Sequence, residues 1–484
     1  MLYQLTKRRK SNVKVWTTDV FLDISKKLLE KPKAPFTNVD ISKLFFGLNS
    51  MPERHPNVEN INNSLCHVLR HSYSPTKYPW SSYNISCAMY YLRHHQCNKK
   101  HVRDLISVIV GMIGPIDSVD RPMSTAECGN TLYGLQGLSS DTECVRNLLV
   151  ALRPHLELCE VEVDSFFLAD FYALQGLSSN SVEVRTLLGV LSAKLAVLGT
   201  RPIPIKAVQV CRALYGLQLL RMEHEGVHKL VGQLVPFSEL PTGAEAVTHP
   251  KDLALVLDGL RMMFTETEAR LAVLRVEHAG AQSMGEDLDE LAVRLQCEEN
   301  SLATLLKLLA AVGRFQLQCR YSTSLNTDQL SRILYSFRGY SSNHAEVRRL
   351  LENLLPFVRA PVVTLHQSSY SDSRPVTDML SVHNSIRVAG GSSFYRRINA
   401  KARDNGNGRL GGSSGAQIDV PSGNSSQASG ASARPSSKFD AYQVAIIKQG
   451  LAGIRPVAGG DWDENVRELD LALRDKGVAD AIAL

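Results

Sequence analysis

Apolar residues recur at helical spacing along this chain, and a short phrase built on them returns about every 40 residues. Residues 132–140 read LYGLQGLSS and residues 171–179 read FYALQGLSS. A shorter version, LYGLQ, begins at Leu214, and a looser one, LYSFRGYSS, begins at Leu334. A unit of this length cannot bury its apolar face without a neighbour. The period therefore predicts an array of repeats that pack on one another.

Each unit is predicted to contain two helices joined by a tight turn. In the third unit, Cys128, Leu132 and Leu135 share one helical face, and the polar stretch 139–141 then interrupts the pattern. A second helix follows at Val145. No segment alternates polar and apolar residues as a half-buried strand does. We therefore predict an all-α fold, a right-handed α-solenoid of about eight helix-turn-helix repeats.

Composition divides the chain into four predicted parts. A basic N-terminal segment, 1–35, precedes the helical-repeat region, 36–363. Residues 364–440 are rich in Ser, Gly, Asn and Arg, which predicts a disordered, low-complexity flexible linker. Helical spacing returns in 441–484, where short C-terminal helices are predicted.

Charge is distributed unevenly along the chain. Residues 1–35 carry nine Lys and Arg against three Asp and Glu, whereas residues 36–363 carry 31 against 33. Within the repeats, residues 223–300 hold six basic and 15 acidic side chains. A nucleic-acid contact would thus occupy only part of the repeat surface.

Two further compositional features bear on the class of protein. Apolar runs are much shorter than the roughly 20 residues that a membrane-spanning helix needs, so we expect no membrane insertion. The nine cysteines are scattered singly, which indicates a reducing compartment rather than a disulfide framework.

Two columns of residues recur in register with the phrase. In most units an aromatic residue stands three positions before a polar residue, so both side chains lie on the same face of the helix. Rings can stack on unpaired bases and polar groups can read base edges, so these columns are candidates for RNA binding. The alternative is structural, since tyrosines and glutamines also fill and bridge the space between helices. The candidate residues are Tyr90, Arg93, Tyr133, Gln136, Tyr172, Gln175, Tyr215, Gln218, Tyr335 and Arg338. The polar column also includes Asn49, Asp258 and Gln296.

A third column holds arginine ten positions after the polar column. It lies on the second helix just after the turn, where it could contact phosphate or bind acids and carbonyl groups of a turn. Its members are Arg103, Arg146, Arg185 and Arg348.

Catalytic and metal-binding patterns are weak. His67 with His71, and His224 with His228, have the spacing of a metal pair, but no further ligand follows at a recognisable offset. No Cys-x-x-Cys motif and no nucleophile elbow occur. We therefore expect no enzyme activity, no cofactor and no metal.

The phrase Thr131–Asp141, followed by the Glu-x-Val-Arg-x-Leu-Leu pattern at Glu143, resembles the degenerate helical repeats of organellar proteins in algae and other protists. The resemblance covers residues 36–363, and the octotricopeptide-repeat family is the nearest named group. The proline-rich signature ending in Trp that is typical of that family is missing here. The resemblance implies a helical-repeat protein that binds single-stranded RNA in a mitochondrion or plastid. There it would act in transcript stability, processing, translation or ribosome assembly.

Two hypotheses of function follow for this non-enzymatic chain. The first is a binder of single-stranded organellar RNA; the second is a protein-interaction scaffold that holds a peptide or helix in a concave groove. The basic cluster Lys7–Lys10 suits an organellar peptide, a nuclear signal or an arm on RNA, so a cytoplasmic or nuclear location stays open. Oligomeric state is not encoded in the pattern.

Overall fold

The computed structural model of the protein is all-α over almost all of the chain that it describes. The helices and turns named below account for most of these residues, and strand is confined to two short segments. All of them belong to one of two compact units, formed by residues 1–363 and 437–484. The structure describes residues 18–29, 36–49, 57–74, 76–118, 121–159, 168, 170–198, 205–284, 289–317, 327–359, 447 and 471–473.

Fourteen α-helices lie in the described ranges. They are α1 (Thr18–Leu29), α2 (Asn38–Leu48), α3 (Val58–His71), α4 (Ser82–Leu92), α5 (Lys100–Met112), α6 (Thr125–Tyr133), α7 (Glu143–Glu157), α8 (Val182–Leu198), α9 (Ala207–Gly216), α10 (Glu225–Glu239), α11 (Pro250–Met284), α12 (Asp289–Val312), α13 (Thr327–Ser336) and α14 (Ala345–Arg359). Short 3-10 helices are Ile116–Ser118, Phe171–Gly176 and Gly243–Ala246. The strands β1 (Val247–Thr248) and β2 (Gln316–Leu317) pair in parallel.

Each helix packs against the helix that lies two elements away along the chain. The first helices of the predicted pairs form one series of contacts, which we call the first row: α2, α4, α6, the 3-10 helix Phe171–Gly176, α9, α11 and α13. The second helices form the second row: α1, α3, α5, α7, α8, α10, α12 and α14. This pattern is the nearest-neighbour packing that the period predicts.

A single hydrophobic cluster runs between the two rows. Leu132 and Leu135 of the phrase are buried there, as are Leu148 and Leu152 of the second helix in the same unit. The apolar stripes that the sequence predicts are thus the core faces of both rows. Ile447 and Leu473 also belong to this cluster, so parts of the predicted tail 441–484 join the core.

Reciprocal capping boxes fix where several first-row helices begin. Thr37 pairs with Asp40, Ser81 with Asn84, and Ser124 with Glu127, each side chain binding the other residue's backbone N–H. The spacing of Asn180 and Glu183 suggests a box on the second row instead. In the structure Ser181, not Asn180, donates its hydroxyl hydrogen bond to Glu183.

Glycines of the phrase allow the backbones of neighbouring first-row elements to approach closely. A Cβ atom placed on Gly134 would lie 2.1 Å from the Met89 carbonyl oxygen. At Gly216 the same atom would lie 1.9 Å from the Phe171 oxygen, and at Gly176 it would lie 2.1 Å from the Leu138 oxygen. No side chain fits at these contacts, so the glycines set the spacing between units.

In the described region seven helix pairs follow α1, whereas the sequence predicts about eight repeats. Predicted units six and seven form one pair, because α11 is a single 35-residue helix and the next helix, α12, contacts α10 and α14 of the second row. The first helix of predicted unit eight, α13, then packs directly on α11. Two other expectations also change: the 3-10 segment Phe171–Gly176 replaces an α-helix in unit four, and helix α1 lies within the basic segment 1–35. The predicted linker, 364–440, lies outside the described residues.

The close glycine contacts generate a stability prediction. We expect Gly134→Ala and Gly216→Ala each to lower the free energy of unfolding by about 1 to 3 kcal/mol, because the new methyl group must displace backbone. Denaturant unfolding measures the change. Gly232 in α10 is the control: a Cβ there meets nothing within 4 Å, so Gly232→Ala should be neutral or stabilise by up to about 1 kcal/mol. Equal effects at all three positions would contradict the assignment.

Candidate nucleic-acid interface

The tyrosine column lies along the first row, and its rings contact one another in pairs. Tyr90 stacks on Tyr133 with ring centroids 5.9 Å apart, and Tyr172 stacks on Tyr215 at 5.4 Å. Tyr133 is buried, while Tyr90, Tyr172, Tyr215 and Tyr335 are half-buried. Each stacked pair joins two consecutive units, so these ring faces are occupied by protein.

Burial also fixes the ionisation of these rings. It raises the pKa of Tyr172 to about 12, with a smaller contribution from the neighbouring Tyr215 hydroxyl. Burial likewise raises the pKa of Tyr215, assisted by Asp258. Both phenols therefore stay protonated near neutral pH and retain a hydrogen-bond donor.

The polar column makes a chain of hydrogen bonds between units. The Gln175 amide Nε2 donates to the backbone oxygen of Gln136 at 3.1 Å, and Gln218 Nε2 donates to the oxygen of Gln175 at 2.8 Å. Arg93, which is buried, donates from Nη2 to the Asn49 backbone oxygen at 3.2 Å. The same structural position thus bridges consecutive units, whether it holds glutamine or arginine.

Arginines of the polar column also lie over the tyrosine of their own unit. The guanidinium carbon of Arg93 is 3.7 Å from the centroid of the Tyr90 ring, and that of Arg338 is 3.5 Å from the Tyr335 ring. Such contacts are cation–π interactions. Arg338 also forms an ion pair with Asp258 at 3.7 Å, which bridges α13 to α11 across the merged pair.

Gln296, the seventh member of the polar column, does not belong to this arrangement. It is exposed on α12 in the second row and donates to Asn300 one turn away. Its neighbour in the aromatic column, Val293, is 63% exposed. The merging of units six and seven therefore removes one member from each column.

The arginines of the third column stabilise the turns that join the two helices of a unit. In each of its four units, Nη1 of the arginine donates to the carbonyl oxygens five and six residues earlier. Arg103 contacts Cys97 and Asn98, and Arg146 contacts Ser140 and Asp141, at 2.7 to 3.2 Å. Arg185 and Arg348 repeat the contact at 2.7 to 3.0 Å. Phosphate binding would have to use the remaining nitrogens of these half-buried guanidinium groups.

A fourth column was not recognised from the sequence. The Ser140 hydroxyl accepts the backbone N–H of Ser178 at 2.8 Å, and the Ser179 hydroxyl accepts that of Arg221 at 2.9 Å. Cys97 occupies the same position one unit earlier and accepts from Ser139 at 3.1 Å. The repeated Ser-Ser dipeptide was the available signal, because a buried hydroxyl at a turn needs a partner.

Two buried ionisable side chains lie near these columns. Neither ring nitrogen of His95 has a hydrogen-bond partner in the described part of the chain, and burial lowers its pKa to about 3. Burial raises the pKa of Asp252 to about 6, opposed by the charge of Arg212. His95 is therefore neutral above about pH 3, and Asp252 is mainly neutral below about pH 6. The neutral form is the cheaper form to bury.

The histidine pair His67 and His71 has the spacing of a metal pair in the sequence. The rings of His67 and His71 lie 4.8 Å apart, but no group of three His, Cys, Asp or Glu side chains in the described ranges could hold a metal ion. In the same part of the chain, every helix is too short or too polar to cross a membrane.

Comparison of the chain with models of protein families, with curated proteins and with solved structures finds no match.

The hydrogen bonds of the polar column generate a second prediction. Gln175→Ala and Gln218→Ala should each lower the free energy of unfolding by about 1 kcal/mol, because each removes one bond between units. Gln296→Ala, in the same sequence register but exposed, should change stability by less than about 0.5 kcal/mol. Thermal or denaturant unfolding compares the three. A loss at Gln296 as large as at Gln218 would show that the inter-unit bonds contribute nothing.

His95 generates a prediction about pH. An unfolded histidine has a pKa of about 6.5, so below this pH the unfolded chain binds a proton that the folded chain does not. As the pH is lowered from 6.5 to 3, the free energy of unfolding should therefore fall, and His95 should contribute about 1.4 kcal/mol per pH unit to this fall. We expect His95→Leu to lose less stability than the wild type between about pH 7 and pH 5. Asp252 acts in the opposite direction, but it is present in both proteins, so their difference isolates His95. Parallel pH profiles would contradict the assignment.

Proposed function

We propose that this chain is a non-enzymatic helical-repeat binding protein of the α-solenoid type that holds single-stranded organellar RNA along the first row. The observation that carries the proposal is the recurrence of a hydrogen-bonding or guanidinium side chain beside a tyrosine at consecutive first-row positions. This surface pattern repeats with the unit, as a strand of nucleotides does.

The polar column retains capacity for a ligand. An amide side chain has two N–H donors and a carbonyl acceptor. Gln175 and Gln218 each make one inter-unit bond and one side-chain hydrogen bond with the tyrosine three positions earlier, which leaves part of this capacity for a base edge. Both side chains are half-buried. The guanidinium carbon of Arg338, which is half-buried, lies 3.5 Å from the Tyr335 ring centroid, and flat guanidinium groups also stack on unpaired bases.

The mechanism that we propose differs from stacking of one base on every tyrosine. The stacked pairs already use ring faces, so edge contacts from the polar column and charge along the first row carry recognition in our proposal. Lys43 and Arg332 are exposed on α2 and α13, and Arg212 is half-buried on α9. These cations supply the phosphate contacts that dominate the affinity for RNA.

A charge-substitution experiment tests this function. We expect the purified full chain to bind a pool of single-stranded RNA with an affinity that falls steeply with salt. The triple variant Lys43→Gln, Arg212→Gln, Arg332→Gln should bind about tenfold or more weakly and reduce the slope of log K against log salt by about 2 to 3. Fluorescence anisotropy at several salt concentrations measures both quantities.

The matched control removes the same number of cations from the second row. Lys100→Gln, Arg153→Gln, Lys229→Gln changes exposed side chains on α5, α7 and α10. This control should keep the wild-type affinity and salt slope. Equal losses in the two triple variants, or RNA binding that is insensitive to salt, would overturn the proposal.

The scaffold alternative is favoured by a separate observation on α11. That helix carries exposed apolar residues in the acid-rich part of the chain, C-terminal to Asp258 of the polar column. This surface suits a protein ligand rather than a polyanion.

A further inference from the structure

The merged helix pair leaves part of its length outside the hydrophobic core. On α11, buried residues end at Leu274, although the helix continues to Met284. On α12, buried residues begin at Ser301, although the helix starts at Asp289. Beyond these residues the two helices are joined by an ion pair between Arg275 and Glu299 at 3.0 Å.

One face of α11 carries a line of apolar or small residues that the core does not use. We call this line the outer seam, and it consists of Met262, Ala269, Val273, Val276, Gly280 and Met284. At about 100° per residue, these positions fall within one narrow stripe. Leu260, Thr267 and Leu271, which are buried, fall on nearly the opposite face. The outer seam thus faces away from the core.

The side chains of the outer seam are exposed to an unusual degree for their type. Val273 is 56% exposed, Val276 75% and Met284 69%, while Met262 is 38% exposed. Val293 on α12 is 63% exposed. Scattered apolar residues on a surface need no explanation, but a continuous helical line of them indicates a contact surface.

The spacing of the outer seam is that of a helix that packs against another helix. From Ala269 to Gly280 the steps are four, three and four residues. Alternation of three and four residues is the seam pattern of paired helices, in which each side chain inserts between four of the partner. An amphipathic helix laid along this face would cover the apolar line.

Charge around the outer seam restricts the partner. Glu266 and Glu277 lie along one side of it, with Arg270 beyond them. Arg270 is neutralised by Glu298 at 2.9 Å, and Glu266 has only a longer contact with Arg221 at 3.5 Å. Residues 250–312 together carry 11 acidic and six basic side chains. A second copy of this chain would bring like charges together, whereas a basic helix would complement them.

We propose that the outer seam docks a basic amphipathic helix of a partner protein. Met262 of the seam lies one turn beyond Asp258 of the polar column on α11. The docking of a helix along the seam does not depend on RNA binding by the columns.

A peptide experiment with the full chain tests the inference. The probe is a fluorescein-labelled helical peptide of three heptads with Leu at the seam positions and Lys at the flanking ones. The seam variant is Val273→Ser, Val276→Ser, Met284→Ser. The matched control is Val150→Ser, Val182→Ser, Val197→Ser, which changes valines that are 56 to 58% exposed on second-row helices. Circular dichroism confirms that both variants fold.

We expect the wild type and the control variant to bind the lysine peptide equally. The seam variant should bind it about tenfold or more weakly, because three apolar contacts are lost. A second peptide with Glu in place of each Lys should bind the wild type about tenfold or more weakly, because its charge opposes that of α11.

Four outcomes would overturn the inference. One is equal binding of the lysine peptide by the seam and control variants, and another is equal binding of the lysine and glutamate peptides. A third is self-association of the wild type in sedimentation that the seam variant lacks, which would assign the seam to a second copy. The fourth is a loss of RNA affinity in the seam variant that the control variant does not show, which would merge this surface with the proposed RNA site.

Discussion

Close backbone approach between consecutive first-row elements is the constraint on which the rest of this structure depends. Gly134 and Gly216 lie where any Cβ would collide with the carbonyl group of the preceding unit. This separation places the side chains of one unit within reach of the backbone of the last. The Gln218 amide and the Ser179 hydroxyl use that reach to bond across the boundary. Packing and polar satisfaction are thus two results of one geometric requirement.

Most of the fold follows from the sequence pattern because each unit encodes its helices locally. The apolar positions around Leu132 and Leu148 identify both core faces, and the step of about 40 residues identifies the neighbours. The merged pair could not be predicted in this way. Its apolar spacing fits two short helices as well as one long one, and no proline or glycine interrupts the chain between Leu260 and Val276.

The candidate site shows a different limit of sequence reasoning. The register correctly grouped Gln175 with Gln218, but it could not show whether their amides face a ligand or a neighbouring carbonyl. Both roles favour the same residue type at the same spacing, because a bridge between repeats must itself repeat. The stacking of Tyr172 on Tyr215 depends on the distance between the backbones of two consecutive first-row elements, which the sequence spacing does not specify. The arginine column is similar, since Arg146 stabilises its own turn from a position where phosphate contact was also expected.

The single 35-residue helix α11 has a mechanical consequence. At about 1.5 Å of rise per residue it extends for roughly 50 Å, and a continuous hydrogen-bonded rod of this kind bends little. One portion carries Asp258, which joins Arg338 of the following unit, while the other carries Val276 and Met284. Force applied at the far portion is therefore delivered as torque to the junction that α11, in the sixth pair, forms between the fifth and seventh pairs. That junction is also the place where the regular ladder of glutamine bridges is interrupted, so it is the natural point for the array to flex.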